Sequence, residues 1–180
     1  ASNEISIEAI TVTHGHTNVD KCARNARQIA ELAGLMDIPI AKGANAPLAK
    51  SLTIAEETHG DGGLGYAVLP EPIIELHSEH AVNLMISLVH KYPNEITILA
   101  IGPMTNLALA FRLDPSIIGL IKNVVSMGGA INYSGNMTPS AEYNVFCDPH
   151  AYDIVLRSGV DLTVVPLDVT YKCLFQQKHL

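Results

Sequence analysis

Hydrophobic and polar positions along the chain follow two alternating rhythms. Short apolar runs rich in β-branched residues recur at Ile5–Val12, Ile38–Ile40, Ile96–Ile101, Lys122–Ser126 and Leu162–Leu167, the pattern expected of strands. Between them apolar residues recur at helical spacing. Val19, Cys22, Ala23, Ala26, Ile29, Ala30 and Ala33 share one face, as do Ala81, Leu84, Met85, Leu88 and Val89 within Glu79–His90. Leu107–Leu113 and the set Ala151, Ile154 and Val155 continue the series, and Asp114-Pro115 starts another short helix. Punctuation agrees: Thr17 or Asn18 can cap the first helix and Gly34 stops it, while Asp148 caps a later helix with Pro149 in its first turn and Gly159 at its end. Pro39 marks Ile38–Ile40 as an edge or a strand start. The nearly all-apolar Ile96–Ile101 run predicts a buried parallel strand. Strands alternating with helices predict an α/β fold, a mostly parallel sheet with helices on both faces.

Ligands in such sheets bind outside the carboxyl ends of the strands. His14 and His16 follow the first strand, Thr105 and Asn106 the third, Met127 and a long loop the fourth, and Asp168 the last. Four polar clusters at four strand ends predict one shared cleft. The long loop, within Val124–Asn144, breaks from its strand at Gly128-Gly129 and carries Asn132, Tyr133, Asn136, Thr138, Glu142 and Asn144. Its uncharged donors and acceptors, with one carboxylate and no basic residue, suit a neutral polyhydroxyl ligand such as a sugar. The competing reading is a solvated crossover loop whose Asn and Ser residues make turns. Gly43–Leu69 has no clear period and holds His59-Gly60-Asp61-Gly62-Gly63-Leu64-Gly65, a mobile or sharply turned loop. No strand precedes those glycines and no long helix follows them, so they are not a dinucleotide fingerprint.

Composition narrows the classes. Hydrophobic residues make up 48% of the 180 and charged residues 16%, enough to bury a sizeable core, with a formal net charge of −7. That balance opposes a nucleic-acid partner, which calls for clustered Lys and Arg. No apolar run approaches the roughly 20 residues of a membrane helix. Cys22, Cys147 and Cys173 form no metal-ligand spacing and predict a reduced, cytoplasmic setting. The chain opens Ala-Ser-Asn, without Met and without a basic–apolar leader.

Met127-Gly128-Gly129, Asn136, Glu142-Tyr143-Asn144-Val145 and Asp148-Pro149 together resemble the central signature of the nucleoside hydrolase family. Gly102–Pro115 is similar to that family's GPLTNLA element, and His59–Gly65 to its mobile active-site loop. The resemblance implies a Rossmann-like α/β domain and hydrolysis of the N-glycosidic bond of ribonucleosides, in purine and pyrimidine salvage. It implies that Met127, Asn136, Glu142 and Asn144 line the ribose pocket and that His59 approaches the nucleoside. It makes the backbone carbonyl of Thr105 a ligand of a bound calcium, which would also grip the ribose hydroxyls. Thr105 and Asn106 can equally cap the following helix, and Met127 can equally serve the core. His16 stands where the family has an Asn that contacts ribose, so imidazole replaces amide at that position. The family's Asp-rich first motif, with the general base and most calcium ligands, is absent, and its place is upstream of Ala1. A later calcium-binding Asp is expected beyond Leu180. Residues 1–180 are therefore expected to be one α/β domain incomplete at both ends, from a homo-oligomer. The alternative is an inactive nucleoside- or sugar-binding homologue. Asp168 could replace the lost base, or could cap the next turn.

Overall fold

The structure is a computed structural model and describes residues 4–174 and 176. All the described strands are parallel, in two sheets. The first pairs β1 (Ile10–Val12) with β2 (Ile40–Lys42), in register Ile10 to Ile40 and Val12 to Lys42. The second has the order β3 (Thr97–Ala100), β4 (Asn123–Met127), β5 (Leu162–Val165).

Side-chain alternation assigns the faces of the first sheet. Ile10, Val12 and Ile40 pack on α1 (Val19–Leu32) through Val19, Ala23 and Ala30. Ala9 and Ala41 pack on the opposite side against Ala81, Leu84 and Leu88 of α3 (Ala81–Lys91). Helices thus cover both faces of β1–β2. In the second sheet Ile98, Ala100, Val124 and Leu162 meet the main core, built with α3, α4 (Thr105–Leu113), the 3-10 turn Pro115–Leu120 and α6 (Pro149–Arg157). Leu99 and Ile101 point the other way and remain 66% and 73% exposed. The expected burial of the Ile96–Ile101 strand therefore holds on one face only, that of Ile98 and Ala100, which pack on the main core.

Several boundaries move for local reasons. The first strand shortens from Ile5–Val12 to Ile10–Val12 because its partner offers only Ile40–Lys42, and Ile5 and Ile7 stay exposed. Pro39 precedes β2, and its carbonyl accepts the Ile10 N–H at 2.9 Å. The last strand stops at Val165 since Pro166 opens the turn α7 (Leu167–Thr170). Asn18 caps α1 through the Lys21 N–H, and Asp148 caps α6 through the Ala151 N–H, as predicted. Two short helices lie in stretches without a sequence period: α2 (Glu56–His59) and α5 (Tyr143–Cys147).

Candidate functional site

The strand ends are joined by a network of buried polar groups. Beyond β4 the chain turns at Gly128-Gly129. Gly129 has φ +81°, a conformation open to glycine. A Cβ on Gly128 would meet Tyr152 at 3.3 Å and the Glu142 carboxylate at 3.4 Å. Glu142, 2% exposed, is the N-cap of α5. Its Oε1 accepts the Asn144 N–H at 2.9 Å, and its Oε2 accepts those of Val145 at 3.2 Å and Gly129 at 3.0 Å. The buried carboxylate is balanced by backbone donors rather than a cation, and it ties the two ends of the central loop together. A carboxylate offers about four lone-pair sites, so acceptor capacity remains for a ligand hydroxyl.

Asn144 spans two strand ends. Its Nδ2 donates to the Met127 carbonyl at 3.1 Å and the Ile101 carbonyl at 3.4 Å, and lies 3.4 Å from Met127 Sδ. Met127 is half-buried beside it. Asn136 is exposed, and its Oδ1 accepts the Tyr143 N–H at 2.9 Å. The Tyr143 hydroxyl sits between the carbonyls of Gly15 (3.2 Å) and Thr53 (3.1 Å). Its ring stacks on His16 with centroids 3.9 Å apart and planes 6° apart. The His59 ring meets His16 edge-on at 4.0 Å. Burial, and then the neighbouring His59, hold the His16 pKa down to about 4, against an opposing pull from Glu57. His16 is therefore neutral near pH 7. His59 ends α2 and is exposed. The loop after it is pinned to α1 by Lys21 Nζ on Asp61 (2.7 Å to the carbonyl, 2.6 Å to Oδ1) and by Asn25 Nδ2 on the Gly62 carbonyl at 2.7 Å.

Thr105 is fully buried in the first turn of α4. Its hydroxyl donates to Asp148 Oδ2 at 2.7 Å and lies 2.9 Å from His14 Nε2. Asn106 donates to the Val12 carbonyl at 3.0 Å and accepts the Ala44 N–H at 2.9 Å, clamping β1 to the segment after β2. Neither side chain caps α4: the N-cap is Met104, with no side-chain bond. The capping alternative is thereby corrected, because long-range partners claim both side chains.

Met127, Glu142, Asn144, Asn136, His16 and His59 thus form one continuous set of contacts through Tyr143, with Thr105 joined to the α5–α6 junction by Asp148. Asp168 stands apart and accepts the N–H groups of Ile131 at 2.9 Å and Asn132 at 2.8 Å. The Ile131 N–H, and then that of Asn132, hold its carboxyl below the usual range. It clamps the central loop and does not cap the next turn, whose N-cap is Pro166 with no side-chain bond, so the capping reading of Asp168 is corrected. His14 was placed at the cleft by its strand end and Tyr143 lay within the signature, but the sequence assigned neither a partner. Asp148 was legible as a cap and as part of the signature, but its bond to Thr105, which crosses 43 positions, was not.

Calcium takes six to eight oxygen ligands. Among the described residues no group of three or more His, Cys, Asp or Glu side chains is arranged to hold a metal. Asp148 does reach Thr105, but through the hydroxyl, and Glu142 and Asp168 are engaged with backbone N–H groups. The described residues alone do not fit the ion. The Asp base expected upstream of Ala1 lies outside them. Away from this network, a surface hollow of about 440 Å³ is lined by His80, Val82, Asn83, Leu109, Arg112 and Leu113. It contains none of the residues singled out above.

Residues 1–180 match the sequence profile of the family described as inosine-uridine preferring nucleoside hydrolase. The chain is 41% identical over 172 residues to a pyrimidine-specific ribonucleoside hydrolase of Photobacterium profundum, covering 96% of this chain and 55% of that protein. It is 40% identical over 173 residues to an inosine-uridine preferring nucleoside hydrolase of Leishmania major, covering 95% and 55%. Among solved structures, a purine-preferring ribonucleoside hydrolase from Gardnerella vaginalis superposes with a TM-score of 0.95 at 35% identity, covering 98% of this chain and 57% of that one. The chain spans about half the length of the relatives it matches.

Proposed function

Since the chain belongs to the inosine-uridine preferring nucleoside hydrolase family, we propose that its strand-end network is the ribose-holding part of a site that hydrolyses the N-glycosidic bond of ribonucleosides to ribose and free base. The observation that carries this reading is the knot of Met127, Glu142 and Asn144 at the ends of β3 and β4. It puts a soft apolar contact, a carboxylate with spare acceptor capacity and an amide oxygen in one place. Neutral donors and acceptors fixed by backbone bonds suit sugar hydroxyls, and their rigidity holds the ring for attack at its anomeric carbon. The bond breaks with oxocarbenium character, which a carboxylate such as Glu142 close to the sugar would stabilise. Asn136, His16 and His59 close the set, with neutral His16 able to donate or accept one hydrogen bond.

Thr105 would offer a calcium ion one backbone carbonyl, the carboxylates such an ion needs are expected outside the described residues, and the chemistry supplied would be a water of lowered pKa. The second reading is a nucleoside- or sugar-binding homologue without catalysis. The free cysteines Cys22, Cys147 and Cys173 support a reduced, cytoplasmic setting, and no helix among the described residues is long and apolar enough to cross a membrane.

Release of reducing sugar from inosine and uridine by a form of the protein that carries the carboxylates expected upstream of Ala1 and beyond Leu180, with millimolar calcium and then with chelator, tests the proposal. Release in calcium that chelator abolishes is expected. Tight nucleoside binding with no release under either condition would establish the binding homologue instead.

A further inference from the structure

Three groups with no exposed surface form a chain between separate elements: His14 after β1, Thr105 opening α4 and Asp148 capping α6. The direction of their hydrogen bonds is fixed by valence. An aspartate carboxylate only accepts, so the 2.7 Å bond to Oδ2 uses the single Thr105 hydroxyl proton. The 2.9 Å contact between Thr105 Oγ1 and His14 Nε2 then requires the imidazole to donate. The ring is the Nε2–H tautomer, and its Nδ1 is a buried acceptor with no side-chain or backbone partner among the described residues. Asp148 also accepts the Leu48 N–H on Oδ2 at 3.0 Å and the Ala151 N–H on Oδ1 at 3.0 Å. The His14 backbone N–H is anchored on the Ala44 carbonyl at 2.9 Å.

A buried imidazole with one bare nitrogen costs more than an apolar side chain of similar volume. Packing alone therefore does not account for His14. We propose that His14 is a positioning residue of the site, acting through Thr105. Its Nε2–H holds the Thr105 hydroxyl on Asp148, which locks the first turn of α4 onto the N-terminus of α6. That junction is continuous with α5, the element bearing Asn144. The chain sets where the Thr105 carbonyl and the Asn144 amide stand relative to the end of β1. Its kinetic consequence rests on the functional reading above, while the hydrogen-bond direction and the coupling stand without it.

Nitrogen-15 NMR of the full chain reads the tautomer: a protonated Nε2 and a bare Nδ1 for His14 are expected, and the reverse would overturn the proposal. His14→Leu and Thr105→Val remove the two ends of one bond while keeping the backbone carbonyl at 105. Their double variant is expected to melt no lower than the poorer single variant, and additive losses would overturn the coupling. His14→Gln places an amide donor near the Nε2 position. On uridine, His14→Leu is expected to lower kcat about tenfold with little change in KM, and His14→Gln to recover most of that loss. Equal losses in the two variants would reduce His14 to packing. If the unsubstituted protein with the carboxylates expected outside residues 1–180 releases no ribose, the functional reading fails, and the tautomer and the melting cycle still decide the proposal.

Discussion

Single side chains here hold strand ends together, so their loss is felt as unpaired backbone. Asn144→Ala would strip the Met127 and Ile101 carbonyls of their shared donor. A loss of about 1–3 kcal/mol follows from leaving buried groups unsatisfied, and urea unfolding of the variant measures it. Glu142→Gln is expected to cost about 2 kcal/mol by the same method, because a side-chain NH2 would face backbone N–H donors that now meet a carboxylate. The His16 pKa of about 4 lies below the ordinary 6.5. The unfolded chain therefore takes up this proton first as pH falls. The stability contributed by neutral His16 is complete above pH 6.5 and is lost progressively as pH falls toward 4. His14 is shifted the same way by burial. A melting-temperature series from pH 8 to 4 should show this slope. His16→Asn should shallow it without abolishing it.

At the level of elements, close approach matters more than propensity. A Cβ on Gly43 would collide with the Asn106 amide that clamps β1 to the next segment. Gly43→Ala should therefore destabilise by about 1–3 kcal/mol, whereas alanine at exposed Gly119, with open space around it, should be nearly neutral; thermal melts of the pair separate the two. The elements that read clearly in the sequence are those whose signals are local. Helix α1 shows its apolar face and its Asn18 cap, and α6 its Asp148-Pro149 start. Helix α5 was illegible because five residues show no period, and its cap is the Glu142 carboxylate, whose partners include Gly129 across the loop. The site residues read from the central loop do cluster. The bonds that place them, such as His14 to Thr105 across 91 positions, have no trace in spacing. The short β1 was misjudged for the same reason, since strand length is set by the partner available rather than by the β-branched run alone.

At the largest scale, β1–β2 and β3–β4–β5 are separate parallel sheets with unpaired edges among the described residues, and Leu99 and Ile101 lie open on the second. Free edges and exposed apolar strand faces favour pairing between chains. The 180-residue chain is expected to associate with increasing concentration in sedimentation velocity, and a monodisperse monomer would contradict that expectation. The same architecture gathers the ends of β1, β3 and β4 around Glu142 and Asn144, and the proposed function depends on that gathering. A group that grips ribose by its hydroxyls must distinguish a sugar that lacks one. The most direct measurement compares kcat/KM for uridine and 2′-deoxyuridine. The account predicts that the deoxynucleoside is worse by about 100-fold or more. Equal values for the two would contradict a site organised around the ribose hydroxyls.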